Sequence, residues 1–251
     1  VDNTNEDIEM GRVEPQGDGE KGLATSRDTV HGNAPKEHPK IKSNDEIDKE
    51  ALMALANIIK NETQNYTDEE ERAIKEGKEF YMKCKASKTF KDVKSPDPRV
   101  KMKFVHLEGE SQGIGICEAV VDASLAECVA YEFIKDSREK KAKLGKKYKA
   151  IETKKQNSHS QLYLNRRSLG VRGFSDREWR SFICWQKEEG DKVCWTVYKD
   201  TNLLDEDFPL SSQTVHASGR TTWMFEALKI TGGVPQTKVT FASKVDIEGS
   251  V

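Results

Sequence analysis

The chain has 251 residues, of which 41 are Lys or Arg and 43 are Asp or Glu, with a formal net charge of −2 and 35% hydrophobic residues. An ordinary globular domain runs at roughly 45–50% apolar with Gly counted and about 25% charged, so this chain is lean in core-forming residues on average. No run reaches the roughly 18 apolar residues of a membrane span and no apolar h-region leads the chain, so neither a transmembrane helix nor a signal peptide is visible. The chain reads as soluble and cytoplasmic, and its charge balance argues against nucleic acid as a partner. Five cysteines (84, 117, 128, 184, 194) are widely spaced without a C-x-x-C pair or a nearby His. They read as free thiols in a reducing compartment, with no metal and no cofactor. The chain opens on Val1 rather than Met, as a fragment of a larger protein would.

Residues 1–42 form the first unit. The first twenty hold seven acidic residues against one Arg12, no aromatic residue appears before Tyr66, and His31 and His38 sit among Gly, Pro and charge. Such a stretch buries too little apolar surface to offset its ordering entropy, so a disordered linker is expected.

A helical segment, 43–99, follows. Ser43-x-x-Glu46 has the spacing of a capping box, and Ile47, Ala51, Leu55, Ile58 and Ile59 follow at helical period, which predicts a helix over 45–61. Thr67-x-x-Glu70 is a second box, and Ile74, Gly77, Phe80, Tyr81 and Cys84 share a face of a helix over 68–85. Ser95-Pro96-Asp97-Pro98 closes the segment, because a residue before Pro is driven out of the α basin. Asn61 and Asn65 match the glycan acceptor pattern, accidental in a chain with no secretory signal.

From 100 to 251 the period changes to alternation. Met102–Leu107 and Ile114–Val121 flank the turn-rich Glu108 to Gly113, a hairpin, and then Ser124-x-x-Glu127 opens a short helix through Leu125, Val129 and Phe133. Ten Lys or Arg against three acids make 135–155 strongly basic, in the plain case a solvated helix and loop. Six further strands are predicted at 151–156, 160–166, 178–187, 192–199, 221–230 and 238–247, with tight turns at Glu188 to Asp191 and Gly232 to Pro235. Cys184-Trp185 and Cys194-Trp195 lie in the two arms of one hairpin, which sets each thiol across from a Trp ring with the thiols on opposite faces. No Walker loop, dinucleotide fingerprint, His-Glu-x-x-His or nucleophile elbow occurs, so no positive case for an enzyme arises.

Three segments carry a resemblance. Gly115 to Val129, in which an apolar strand enters Asp122-Ala123-Ser124 and a helix, is similar to the StAR-related lipid-transfer (START) family. Ser160 to Arg167 followed by Phe174-Ser175-Asp176-Arg177-Glu178-Trp179, and Thr237 to Ser250 with its Asp246-Ile247-Glu248-Gly249, resemble later strands of that family. The likeness spans about 68–251. It implies an α+β helix-grip fold: a curved antiparallel sheet, N-terminal helices, and a cavity under a C-terminal gripping helix that holds a lipid or sterol. Two departures stand out. The chain stops two residues after Gly249, where the gripping helix should start, and Asp176-Arg177-Glu178-Trp179 replaces the family's Arg-Asp-aromatic element.

The resemblance implies a lipid-binding domain, and alternation names its candidate contacts as Tyr163, Arg166, Arg167, Trp179, Ile183, Trp195, Met224 and Glu226. Arg166 and Arg167 are adjacent in a strand, so one must face inward, where it needs a carboxylate such as Glu226 or an anionic headgroup. The basic run 135–155 suits transient contact with an anionic membrane surface. Two rivals remain: a regulatory or protein-interaction module that has lost its lipid, favoured by the missing gripping helix and the acidic Asp205-Glu206-Asp207, and an enzyme on the same fold.

Overall fold

The structure, a computed structural model, describes residues 43–108 and 112–247. The predicted linker at 1–42, the tip of the first hairpin and the stretch from Glu248 onward lie outside the described residues. The elements run α1 (Asn44–Asn61), α2 (Asp68–Ala86), β1 (Phe90–Val93), β2 (Lys101–Val105), β3 (Ile114–Val121), α3 (Leu125–Phe133) and α4 (Arg138–Leu144). After one 3₁₀ turn at Gly145–Lys147 come β4 (Tyr148–Lys155), β5 (Ser160–Arg167), β6 (Asp176–Lys187), β7 (Val193–Asp200), β8 (Thr214–His216), β9 (Ser218–Ala227) and β10 (Thr237–Asp246). The described residues form one compact unit.

Each of the three capping boxes forms in full: Ser43 with Glu46, Thr67 with Glu70 and Ser124 with Glu127 exchange hydrogen bonds between side chain and backbone. These reciprocal bonds satisfy amide groups that a helix leaves orphaned at its start, so local sequence alone sets where α1, α2 and α3 begin.

One large curved sheet follows the order β1-β2-β3-β10-β9-β7-β6-β5-β4, with β8 pairing parallel to β6 and every other pair antiparallel. That is ten strands rather than the expected eight. The additions, β1 and β8, are only four and three residues long, too short to show an alternating pattern. The two tight turns join β6 to β7 and β9 to β10 as expected, and Gly190 (φ 80°) and Asp191 (φ 57°) supply the left-handed backbone of the first.

The sheet has two faces with different coverings. On one, α2 lays Ala73, Ile74, Phe80, Tyr81 and Cys84 against Leu162, Leu164, Phe182, Cys184, Val197, Trp195, Met224 and Ala242. Close approach is possible because Gly77 has no side chain: a Cβ there would sit 2.4 Å from Val197 Cγ1, while Thr222 Oγ1 donates to the Gly77 carbonyl at 3.0 Å. On the other face, α3 packs Leu125, Val129, Ala130 and Phe133 on Ile183, Trp185, Cys194 and Phe225, and α1 adds Leu55 and Ile59 to that cluster.

α1 turns a different stripe inward than its sequence suggests. Leu55 and Ile59 are buried as expected, but Leu52 rather than Ile47 or Ala51 packs with them, and Ile47 is 50% exposed. The reason is that α1 rests mainly on the short α3 rather than on the broad sheet, and Leu52, Leu55, Ala56, Ile58 and Ile59 make up the stripe in that cluster. The two thiols do point to opposite faces. Register pairs Cys184 with Val197 and Cys194 with Lys187, however, so each Cys meets the Trp of the other arm on a diagonal rather than directly across.

Candidate functional site

Alternation along five strands places Tyr163, Asn165 and Arg167 (β5), Trp179 and Ser181 (β6), Tyr198 (β7), Thr221 and Trp223 (β9), and Phe241 and Val245 (β10) on the α3 face. The helix α3 covers only part of that face. Beyond its end these side chains, with Tyr148 of β4 and Glu132 of α3, line a groove of about 290 Å³. A second groove of about 510 Å³, lined by Leu52, Val121, Ala123, Glu127, Cys128, Tyr131, Phe225 and Val239, shares Glu132 and Trp223 with the first. The two adjoin at these shared residues and together make a trough, aromatic and polar at the β4–β6 end and largely apolar under α1 and α3.

The polar end is built from few groups. The Arg167 guanidinium lies over the Trp179 ring at 4.4 Å from its centroid, a cation–π contact, and makes no ion pair among the described residues. Trp179 is buried, and its Nε1 finds no hydrogen-bond acceptor among the described residues. Glu132 accepts from the Tyr198 hydroxyl and from Lys135 Nζ at 2.5 Å, and Lys135 also lies 4.9 Å from the Tyr198 ring centroid. Burial, then the neighbouring Glu132 carboxylate, push the Tyr198 phenol well above its ordinary value, and burial pulls the Lys135 ammonium down. Burial likewise raises the Tyr163 phenol, with the nearby Tyr148 next in weight.

The segment after α3 is held by polar clips. Lys140 Nζ donates to the Tyr131 carbonyl and, at 2.6 Å, to that of Ile134, closing the C-terminal end of α3 where a cation is favoured. Burial, then repulsion from Lys135, lowers Lys140 to about 8. Asp48 of α1 accepts from the Arg138 amide at 2.7 Å, so α4 bridges α1 and α3. The expected solvated run 135–155 is thus corrected at two positions. Lys135 and Lys140 are drawn inward because the end of α3 and Glu132 need them, whereas Arg138, Lys141, Lys147, Lys149 and Lys155 remain exposed.

Of the sequence-predicted contacts, Tyr163, Arg167 and Trp179 line the trough, and Ile183 is on the same face but sealed beneath α3. Trp195 and Met224 lie on the opposite face in the core under α2. Glu226 pairs in register with Lys238 and Val193 on that opposite face, away from both arginines. Arg166 also faces away from the trough, and its partner is not Glu226 but the fully buried Glu178, reached by Nε at 2.7 Å. Arg180 binds the other oxygen of Glu178 and then Asp205 and the Phe208 carbonyl, which fastens the loop after β7. Parity explains the split: Glu178, Arg180 and Arg166 share one side of the ladder, while Arg167 and Trp179 share the other. Sequence reasoning passed over Glu132, Tyr148, Tyr198, Trp223 and Phe241. Tyr198 and Trp223 were visible as alternating residues, but nothing in the sequence said which parity faced the trough, and Glu132 looks like any surface glutamate of a helix.

The fold matches solved structures. Human STARD10 aligns with 77% of this chain and 74% of its own at 14% identity and a TM-score of 0.53. Human StAR-related lipid transfer protein 5 aligns with 74% of this chain and 86% of its own at 11% identity and 0.58. The lipid transfer and protein localization domain of human StarD13 (DLC2) aligns with 74% and 87% at 13% identity and 0.52. No protein-family model and no curated protein matches the sequence. The chain therefore has the helix-grip fold of START domains, as its three sequence segments suggested.

Proposed function

We propose that this protein is a START-like lipid-binding domain that takes one lipid or sterol in the trough on the α3 face, as part of a larger intracellular protein. The observation that carries it is the trough itself: an aromatic and apolar channel on a fold shared with a StAR-related lipid transfer protein, with polar groups gathered at one end. The tail of the ligand lies under α1 and α3, and its polar group lies toward the first groove, whose wall includes Glu132, Tyr148, Tyr163 and Arg167. Native mass spectrometry of the purified chain tests this. A co-purifying lipid, displaced by Trp223→Arg without loss of fold, is expected; an empty chain that takes up no lipid from vesicles overturns it.

The exposed Arg138, Lys141, Lys147, Lys149 and Lys155 support docking onto an anionic bilayer, with about 1 kcal/mol for each cation near the surface. Vesicle co-sedimentation should rise with anionic lipid and fall with salt. Asp205 and Asp207 of the acidic loop are engaged by Arg180 and Lys154, which weakens one of the two grounds for the rival interaction module.

A further inference from the structure

We propose that Glu132 is a recognition residue for a hydroxyl group on the ligand, held by its second carboxylate oxygen at the junction of the two grooves. The inference rests on the lipid-binding reading above and adds what the ligand must carry beside its chain.

Both side-chain contacts of Glu132, from Tyr198 and from Lys135, fall on the same oxygen, Oε1. A carboxylate has about four acceptor sites, two on each oxygen. Oε2 receives no hydrogen bond among the described residues and is not sealed away from the trough, whose two grooves both include Glu132 in their walls. The side chain is only 15% exposed, so water has poor access to it, and the adjoining groove is lined by Leu52, Cys128, Tyr131 and Phe225. Oε2 keeps a small opening toward the trough, where a ligand hydrogen can take the place of water on a charged acceptor.

The charge of Glu132 is already balanced by Lys135. What Oε2 lacks is therefore a hydrogen and not a countercharge. An ammonium would bring surplus positive charge beside Lys135, an anion would be repelled by the carboxylate, and an ether or ester oxygen has no hydrogen to give. A neutral O–H next to a long apolar body fits, the chemistry common to sterols, fatty alcohols and acylglycerols. Glu132 belongs to α3, and the bonds from Tyr198 and Lys135 to Oε1 orient the carboxylate, so Oε2 is positioned before the ligand arrives.

The test compares oleyl alcohol with oleyl methyl ether, which differ in the ability to donate, by calorimetric titration of the full chain. The wild type is expected to bind the alcohol about tenfold more tightly or better, as suits a hydrogen bond to a charged acceptor. In Glu132→Gln the amide takes the place of an oxygen and can donate to the ether as well as to the alcohol, so the preference should fall close to unity; the variant also leaves Lys135 without its countercharge and is expected to melt lower. Equal wild-type affinities for the two probes overturn the proposal, and so does a preference that survives Glu132→Gln. Binding of neither probe, nor of any co-purified lipid, overturns the lipid-binding reading itself, whereas uptake of other lipids without this preference overturns the role of Glu132 alone. The wild-type ratio decides even where the variant folds poorly.

Discussion

Glu178 is fully buried and holds Arg166 with one oxygen and Arg180 with the other, both at 2.5 Å. Glu178→Ala leaves two guanidiniums without their shared partner, one of them buried, and breaking such a pair typically costs about 3–5 kcal/mol. Denaturant unfolding should show a loss of that size, against a smaller loss for Arg166→Ala, whose side chain is 26% exposed. Glu70 makes a pH prediction. Burial would raise it, but hydrogen bonds from Ser160, the Thr67 backbone, Asn157 and His159 outweigh burial and bring it to about 2 from an ordinary 4.5. A depressed folded-state value means that the stabilisation is complete above 4.5 and is lost as pH falls through about 2. Stability measured between those values should therefore decline with acid more steeply in the wild type than in Glu70→Gln.

The helices are set by local signals, their seats by single close contacts. Gly77→Ala would improve helix propensity by up to about 1 kcal/mol in an exposed helix. Here the new methyl meets Val197 Cγ1 at 2.4 Å, so α2 must lift from the sheet and the change should destabilise. Thermal melts should show a lower midpoint for Gly77→Ala and partial recovery when Val197→Ala is added, a coupling that propensity alone does not produce. α4 buries no side chain and is tied to α1 through Asp48. Asp48→Ala should therefore raise amide exchange across Arg138–Leu144 while leaving that of α2 unchanged.

Across the whole domain, α1 is the element that the sheet alone does not explain. It completes the cluster around Trp185, Cys194 and Phe225 from the far side of α3, so that part of a face otherwise open to water is closed from the N-terminal side. Ile59 is fully buried in that cluster, and Ile59→Ala is expected to cost about 2–5 kcal/mol, measurable by denaturant unfolding. The open remainder of the face is the trough. An apolar surface of this kind is what soluble domains usually bury, and a ligand lying in the trough, as proposed above, would cover it.

Much of this was written locally. Three capping boxes, two tight turns and the change of period near residue 100 defined the helix starts, the main hairpins and the antiparallel sheet, because each depends on residues within a few positions of one another. Alternation also separated Arg166 from Arg167 correctly. Which of them faced the trough was decided only when α2 took one side of the sheet and α3 with α1 took the other, since a two-residue period defines two faces without ranking them. For the same reason Glu178 displaced Glu226 as the arginine partner, and Glu132 gained its place in the site from a contact with Tyr198 across 66 positions of chain.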